Sequence, residues 1–312
     1  MDLQSNVDDE RLDRFVAGHM PGVSRSRVQR WILDGRVLIN GVVVQKPSYR
    51  LSAGDVVRVP EVKEHPPAVE PWDGPLDVLY EDAECLVVNK PAGMVIHPAA
   101  GHRKHTLVNV MLHHYPELSE MLDPATVPGR RPGIVHRLDR DTSGVLVVAR
   151  NASAWRALQR QFRQRAVEKT YLALVHGRLA EVEGQIVAPI GRDPANRKRM
   201  AVVPGAREAI TAYRVRQFLF VPGRPSESYT LVEIDLHTGR THQIRVHFAH
   251  IHHPVVGDLI YGRRKRRLAC PRQFLHACRL GFHRPGDGEW ICVTTPLPVD
   301  LQQVLDSLQV VQ

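Results

Sequence analysis

Between residues 60 and 75 the chain reads PEVKEHPPAVEPWDGP, with prolines at 60, 66, 67, 71 and 75. Proline has a fixed φ and no amide hydrogen, so this density excludes a helix or an internal strand. Residues 61–75 therefore read as a semi-rigid linker, leaving a short segment, 10–60, and a long one, 76–312. A length of 312 residues also suggests two domains. No apolar run approaches the length of a membrane span. The start, MDLQSNVDDERLDRF, is acidic and has no apolar core of a signal peptide. The four cysteines, at 85, 270, 278 and 292, form no C-x-x-C pair. A disulfide framework or a cysteine zinc module is not expected, and the chain reads as one of a reducing, cytoplasmic compartment.

In the short segment, Leu12, Phe15 and Val16 share one face at helical spacing, and Gly22 stops that helix. Ser24 is a candidate N-cap for a second helix, Arg25–Asp34, in which Val28, Trp31 and Ile32 form the apolar stripe. Arg25, Arg27 and Arg30 lie off that stripe, and Gly35 is placed to close the helix. Asn40-Gly41 between two apolar runs predicts a hairpin, and Ala53-Gly54-Asp55 turns into a strand at 56–59. Two short helices and a small sheet make an α/β module of residues 10–60. In pattern and order, RSRVQRWILDGRVLINGVVV resembles the small RNA-binding module first described in a ribosomal protein, of the S-four type. That resemblance implies RNA contacts for Arg25, Arg27 and Arg30.

Beyond the linker the periodicity predicts strands at 85–89, 145–149, 171–175, 185–190, 211–216, 229–236 and 291–294. Helices are expected at 106–114, 153–164, 241–250 and 300–309. Many strands with few interposed helices predict an α+β domain, 76–312, with a mixed, largely antiparallel sheet. The cluster GRRKRR, 262–267, reads as a loop. Charge narrows the partner. The chain has 35 Arg against 7 Lys and a formal net charge of +9. An arginine-rich basic excess suits a polyanion, because the guanidinium fork pairs with phosphate and stacks on bases.

The densest polar stretch is GIVHRLDRDTSGVLVVAR, 133–150, a knot of charges running into an apolar strand. Asp139 and Asp141 stand among His136, Arg137 and Arg140. Neighbouring cations keep a carboxylate ionised, and an ionised, positioned Asp serves as nucleophile or base. On the residues alone a surface ion-pair network fits as well. A second stretch, LHTGRTHQIRVHFAHIHHPVVGDLIYG, 236–262, turns at Thr238-Gly239 and opens a helix at Arg240, Thr241 and His242. A helix start beside an arginine suits phosphate. The histidines at 242, 250, 252 and 253 lack an acidic partner at ligand spacing, so no metal is expected.

Taken in order, HRLD-x-x-TSG before an apolar strand, EKTY, HTGRTHQIRVH and HP-x-x-GD-x-x-YG resemble the RluA family of RNA pseudouridine synthases. The match runs from about residue 78 to 300 and, with the module, over nearly the whole chain. NKPAGMVIHPAAG, with the helix after it, resembles the RluD-like type, which acts on large-subunit ribosomal RNA. The resemblance implies the pseudouridine synthase fold and four site residues. Asp139 matches the catalytic aspartate, Tyr171 the tyrosine against the target base, Arg245 the arginine paired with that aspartate, and Leu275 an apolar wall of the base pocket. Without it, Tyr171 and Leu275 read as core and Arg245 as a helix-surface residue. His136, Arg137 and Arg240 are expected to position RNA and loop.

Pseudouridylation breaks the N1–C1′ bond of uridine, turns the uracil and rejoins it through C5. Nothing is oxidised and no group is lost, so no cofactor is implied. The target base must first leave its stack. The expected partner is large-subunit ribosomal RNA or a pre-ribosomal particle, with no membrane and no metal, and the chain is expected to be a monomer. The rival readings are the same chemistry on another ribosomal or transfer RNA site, and a non-catalytic RNA-binding or ribosome-assembly factor. A hydrolase using Asp139 and Asp141 is disfavoured, since surrounding arginines would leave no protonated acid.

Overall fold

A computed structural model describes residues 1–20, 23, 25–60, 69–98, 102, 104–122, 131–197, 199–263 and 268–311. Gly22, Ser24, linker residues 61–68 and residues 264–267 of the basic cluster lie outside the described residues. The chain divides into two units, Met1–Ala68 and Val69–Gln312.

The first unit runs β1 (Asp2–Gln4), β2 (Glu10–Arg11), α1 (Leu12–His19), α2 (Arg25–Leu33), β3 (Leu38–Ile39), β4 (Val42–Val43), β5 (Arg50–Leu51) and β6 (Val56–Arg58). Asn40 and Gly41 both hold positive φ, 49° and 84°, so β3 and β4 join through the predicted tight hairpin. The sheet order is β1-β6-β3-β4, and β2 pairs with β5. Leu12, Phe15 and Val16 of α1 meet Val28, Trp31 and Ile32 of α2 in one core, the faces that helical spacing selects.

The second unit runs β7 (Val78–Glu81), β8 (Cys85–Lys90), α3 (Leu107–His114), a 3-10 segment (Pro116–Leu122), β9 (Ser143–Ala149), α4 (Ala152–Gln164), β10 (Glu168–His176), β11 (Glu183–Val187), β12 (Ile190–Arg192), β13 (Met200–Val202), β14 (Ile210–Val221), β15 (Arg224–Leu236), α5 (Gln243–His250), β16 (Leu275–His283), β17 (Trp290–Thr294), α6 (Val299–Asp306) and β18 (Gln309–Val310). Ten strands form one sheet along β11-β14-β15-β10-β16-β9-β8-β7, with β17 beside β16 and β18 beside β14. Among the described residues only the β9–β16 pairing is parallel, so the sheet is mixed and largely antiparallel. All seven residues of β9, SGVLVVA, are buried, as befits a strand covered on both faces. Gly144 makes that parallel pairing possible: at φ 120° a Cβ there would stand 2.1 Å from the carbonyl oxygen of Ala277. Residues 70–74, within the expected linker, are tied to α3. The amide of Trp72 donates to the carbonyl of Asn109, and the Asn109 side chain donates to the carbonyl of Glu70.

Several sequence expectations need correction. The run expected at 185–190 splits into β11 and β12. The helix expected at 241–250 begins at Gln243, because His242 sits in the left-handed region at φ 58° and cannot continue a right-handed helix. Arg240, Thr241 and His242 therefore form a turn before α5. The central strand β16, LHACRLGFH, is absent from the strands that periodicity predicts, since its histidines, arginine and glycine blur both periods. Among the described residues no helix is long and apolar enough to cross a membrane.

Candidate active site

After a single bridge of Ile134 to Val148, the segment up to Thr142 is off the sheet ladder, so its remaining backbone groups need other partners. Two side chains of α4 supply them: Trp155 donates through Nε1 to the carbonyl of Ile134, and Gln159 through Nε2 to that of Val135. His136 accepts the amide of Val147 on Nε2 at 3.0 Å and stacks on Phe162. Burial pushes its imidazole pKa down to about 3, so it is neutral, with its proton on Nδ1. From below, Lys90 anchors the loop. Its fully buried ammonium donates to the carbonyls of Pro91, Met94 and Arg140. Burial lowers its pKa to about 7. From the side, Arg272 donates to the carbonyl of Asp141 and to Ser143 Oγ while paired with Asp300. The loop carrying Asp139 is thus held by buried or half-buried side chains of distant elements.

Asp139 stands in a cleft of about 640 Å³. One of its oxygens, Oδ2, accepts from Arg245 Nη1 at 2.9 Å. Arg245 is buried on α5 and spends its remaining fork, Nε and Nη2, on both oxygens of Asp258 at 2.7 and 2.9 Å. Asp258 also accepts the amides of Ile260 and Tyr261. Burial opposes charge on both groups. The hydrogen bonds and mutual attraction outweigh it, raising the pKa of Arg245 and lowering that of Asp258. Gly257 is required here, because at φ 75° a Cβ would lie 2.0 Å from the carbonyl oxygen of Arg272.

The second oxygen of Asp139, Oδ1, lies 3.9 Å from His242 Nε2. Tyr261 Oη accepts the amide of Met200 and is hydrogen-bonded to His242 Nδ1 at 2.8 Å. Burial lowers the His242 pKa against the pull of Asp139, so the ring is neutral. Tyr171, on β10, is 7% exposed. Burial, then the charge of Asp139, pushes its phenol pKa well above the usual range, keeping it neutral.

The cleft wall brings together all seven residues named from sequence: Asp139, Tyr171, Arg245, His136, Arg137, Arg240 and Leu275. Arg240 is held by a bond from Nε to the carbonyl of Glu208, and Leu275 opens β16 as a buried wall residue. Asp141 is not in the wall; it pairs with Arg140 on the surface. In the other unit, Arg25 is bonded to buried Asp13 and Arg27 lies over Trp31. Arg30 is exposed near the end of α2. Sequence reasoning missed Lys90, Asp258, Lys169 and Arg272, and it noticed His242 only as part of a helix start and of a rejected metal set. Lys90 and Asp258 stand inside NKPAG and GD-x-x-YG, where a charged residue beside glycine or proline was the available signal.

The profile of the RNA pseudouridylate synthase family matches residues 84–250, and that of the S4 domain residues 10–57. An uncharacterized RNA pseudouridine synthase of Chloroflexus aurantiacus is 50% identical over 301 residues, covering 96% of this chain and 90% of that one. Ribosomal large subunit pseudouridine synthase D of Escherichia coli (strain K12) is 38% identical over 322 residues, covering 98% and 93%. Among solved structures, human RNA pseudouridylate synthase domain containing 1 superposes with a TM-score of 0.59 at 30% identity, covering 79% of this chain and 91% of that one. With an S4 RNA-binding module ahead of a pseudouridylate synthase body, the chain belongs to the RluA family of RNA pseudouridine synthases.

Proposed function

We propose that the protein converts uridines of large-subunit ribosomal RNA to pseudouridine, with Asp139 acting at the sugar of a uridine turned out of its stack. The observation that carries this reading is the Asp258–Arg245–Asp139 chain at the cleft wall. Arg245 holds one oxygen of Asp139, balancing its charge, and leaves the other toward the space a nucleotide would fill. That oxygen acts at C1′ or on the C2′ proton. The N1–C1′ bond breaks, the uracil turns, and C5 bonds to C1′, displacing Asp139 where it had attacked that carbon; the C5 proton leaves to water and N1 takes one up, so atoms and charge balance. Tyr171 offers an aromatic face to the base, worth roughly 1–3 kcal/mol for a stacked base, and Leu275 closes the pocket. Arg137, His136 and Arg240 position the loop and RNA. The S4 module, with Arg25, Arg27 and Arg30 on α2, grips RNA. Large-subunit RNA is favoured because relatives matching both units end to end include synthase D of the large ribosomal subunit.

The test is tritium release from ribosomal RNA labelled at uridine C5. Wild-type protein should release tritium, and Asp139→Asn should not, although it still binds RNA. Residual turnover above about a hundredth of wild type, some 2.7 kcal/mol, would remove Asp139 from this role. Inert wild-type protein, on free RNA and on assembled particles alike, would favour a binding factor.

A further inference from the structure

α4 has three faces. Ala154 and Leu158 are buried in the core. Trp155, Gln159 and Phe162 face the cleft. Arg156, Arg160 and Arg163 follow at i, i+4 and i+7, and all three are exposed. At about 100° per residue the arginine face borders the cleft face directly, and Arg163 belongs to both. The helix contains no acidic residue. Several arginines elsewhere in this unit are paired with carboxylates: Arg150 with Glu81 and Glu117, Arg165 with Glu208, Arg272 with Asp300. The three on α4 have no hydrogen-bond or carboxylate partner among the described residues. At the cleft rim Arg131 and Arg137 are exposed, and Lys169 lies beside Phe162. Uncompensated cations thus run from the cleft outward along one helix.

We propose that the arginine face of α4 is a track for the RNA backbone next to the target uridine, with phosphates seated against Arg156, Arg160 and Arg163. This rests on the reading that the cleft receives that uridine. A uridine drawn out of its stack leaves its neighbours tethered by their phosphates, and the strand must leave the cleft across one of its rims. Bidentate guanidinium contacts suit phosphate oxygens and fix register without reading sequence. An acidic protein would also meet the charge. Continuity with the cleft favours RNA.

The experiment compares the full-length Arg156→Gln/Arg160→Gln variant with a charge-matched control, Arg214→Gln/Arg216→Gln on β14. Affinity for a large-subunit ribosomal RNA transcript is measured across a salt series. Neither α4 residue lines the cleft, and both are exposed, so thermal unfolding should match wild type. The α4 variant should lose about tenfold in affinity, and its log–log salt slope should fall by about 1.5, near 0.7–0.9 per phosphate contact. Arg156→Lys/Arg160→Lys should keep the slope. Equal losses in the α4 and β14 variants would overturn the track, because net charge alone would explain them. Unchanged affinity would also overturn it and point to a protein partner. If wild-type protein binds RNA but releases no tritium, the catalytic reading fails while this comparison still decides the track.

Discussion

Each unit is built around one fully buried carboxylate clamped by a guanidinium, and the two clamps end differently. In the first, Asp13 is completely buried and accepts from Arg11, Arg25 and Gln29 at 2.6–3.1 Å. Burial opposes its charge, but these bonds outweigh burial and hold its pKa far below the usual carboxylate range. The network closes on itself. In the second, Asp258 is as buried and as well bonded, yet Arg245 keeps one N–H for Asp139, which is 17% exposed at the cleft. The same chemistry is spent wholly inside the protein in one place and leaves a carboxylate at an open cleft in the other. What separates them is whether the last acceptor in the chain meets protein or open space.

Four substitutions probe that difference, beginning with the largest effect. Asp139→Asn, at the open end, should lower turnover more than a hundredfold with little change in Tm. Tritium release and calorimetry on one preparation read both. Asp258→Asn should do two things, because it unseats Arg245 and leaves a buried cation half paired. We expect a loss of about 3 kcal/mol in stability and at least tenfold in kcat. A normal kcat would show that Arg245 orients Asp139 unaided. Asp13→Asn should cost the first unit about 2 kcal/mol while kcat on saturating RNA stays at the wild-type value, as a closed network requires. Its folded-state pKa is depressed, so the charged carboxylate stabilises the unit above about pH 4 and that contribution fades as pH falls. Acid titration should therefore unfold wild type more steeply than Asp13→Asn. The smallest effect belongs to Lys169, whose pKa burial lowers to about 8. RNA affinity should decline severalfold from pH 7 to 9 as its charge is lost, and Lys169→Arg should flatten that decline.

Legibility in the sequence followed the range of the interactions. The α1 and α2 faces, the Asn40-Gly41 hairpin and the strand of VLVVA were legible because each depends on neighbours within a turn or a pleat. β16 was not, although it lies at the centre of the sheet, because its burial comes from β9 and β10 rather than from any alternation of its own. The start of α5 was misplaced by two residues because nothing local announces that His242 adopts a positive φ. In the site, Asp139 was legible as a carboxylate ringed by cations. Arg25 was legible as a cation, but not as the partner of an aspartate twelve residues earlier.

By itself the sequence determined the two-unit organisation, the α+β class, the basic character and the ordered motifs that assign the family, since these follow from proline density, local period and residue identity. Only the tertiary structure decided that Arg245 is shared between Asp139 and Asp258, that Lys90 holds the loop from below, and that α4 turns its unpaired arginines to the rim of the cleft. Those facts depend on contacts between residues far apart in the chain and on burial, which sets the strength of each charge, and neither is written in the spacing of residues along the chain.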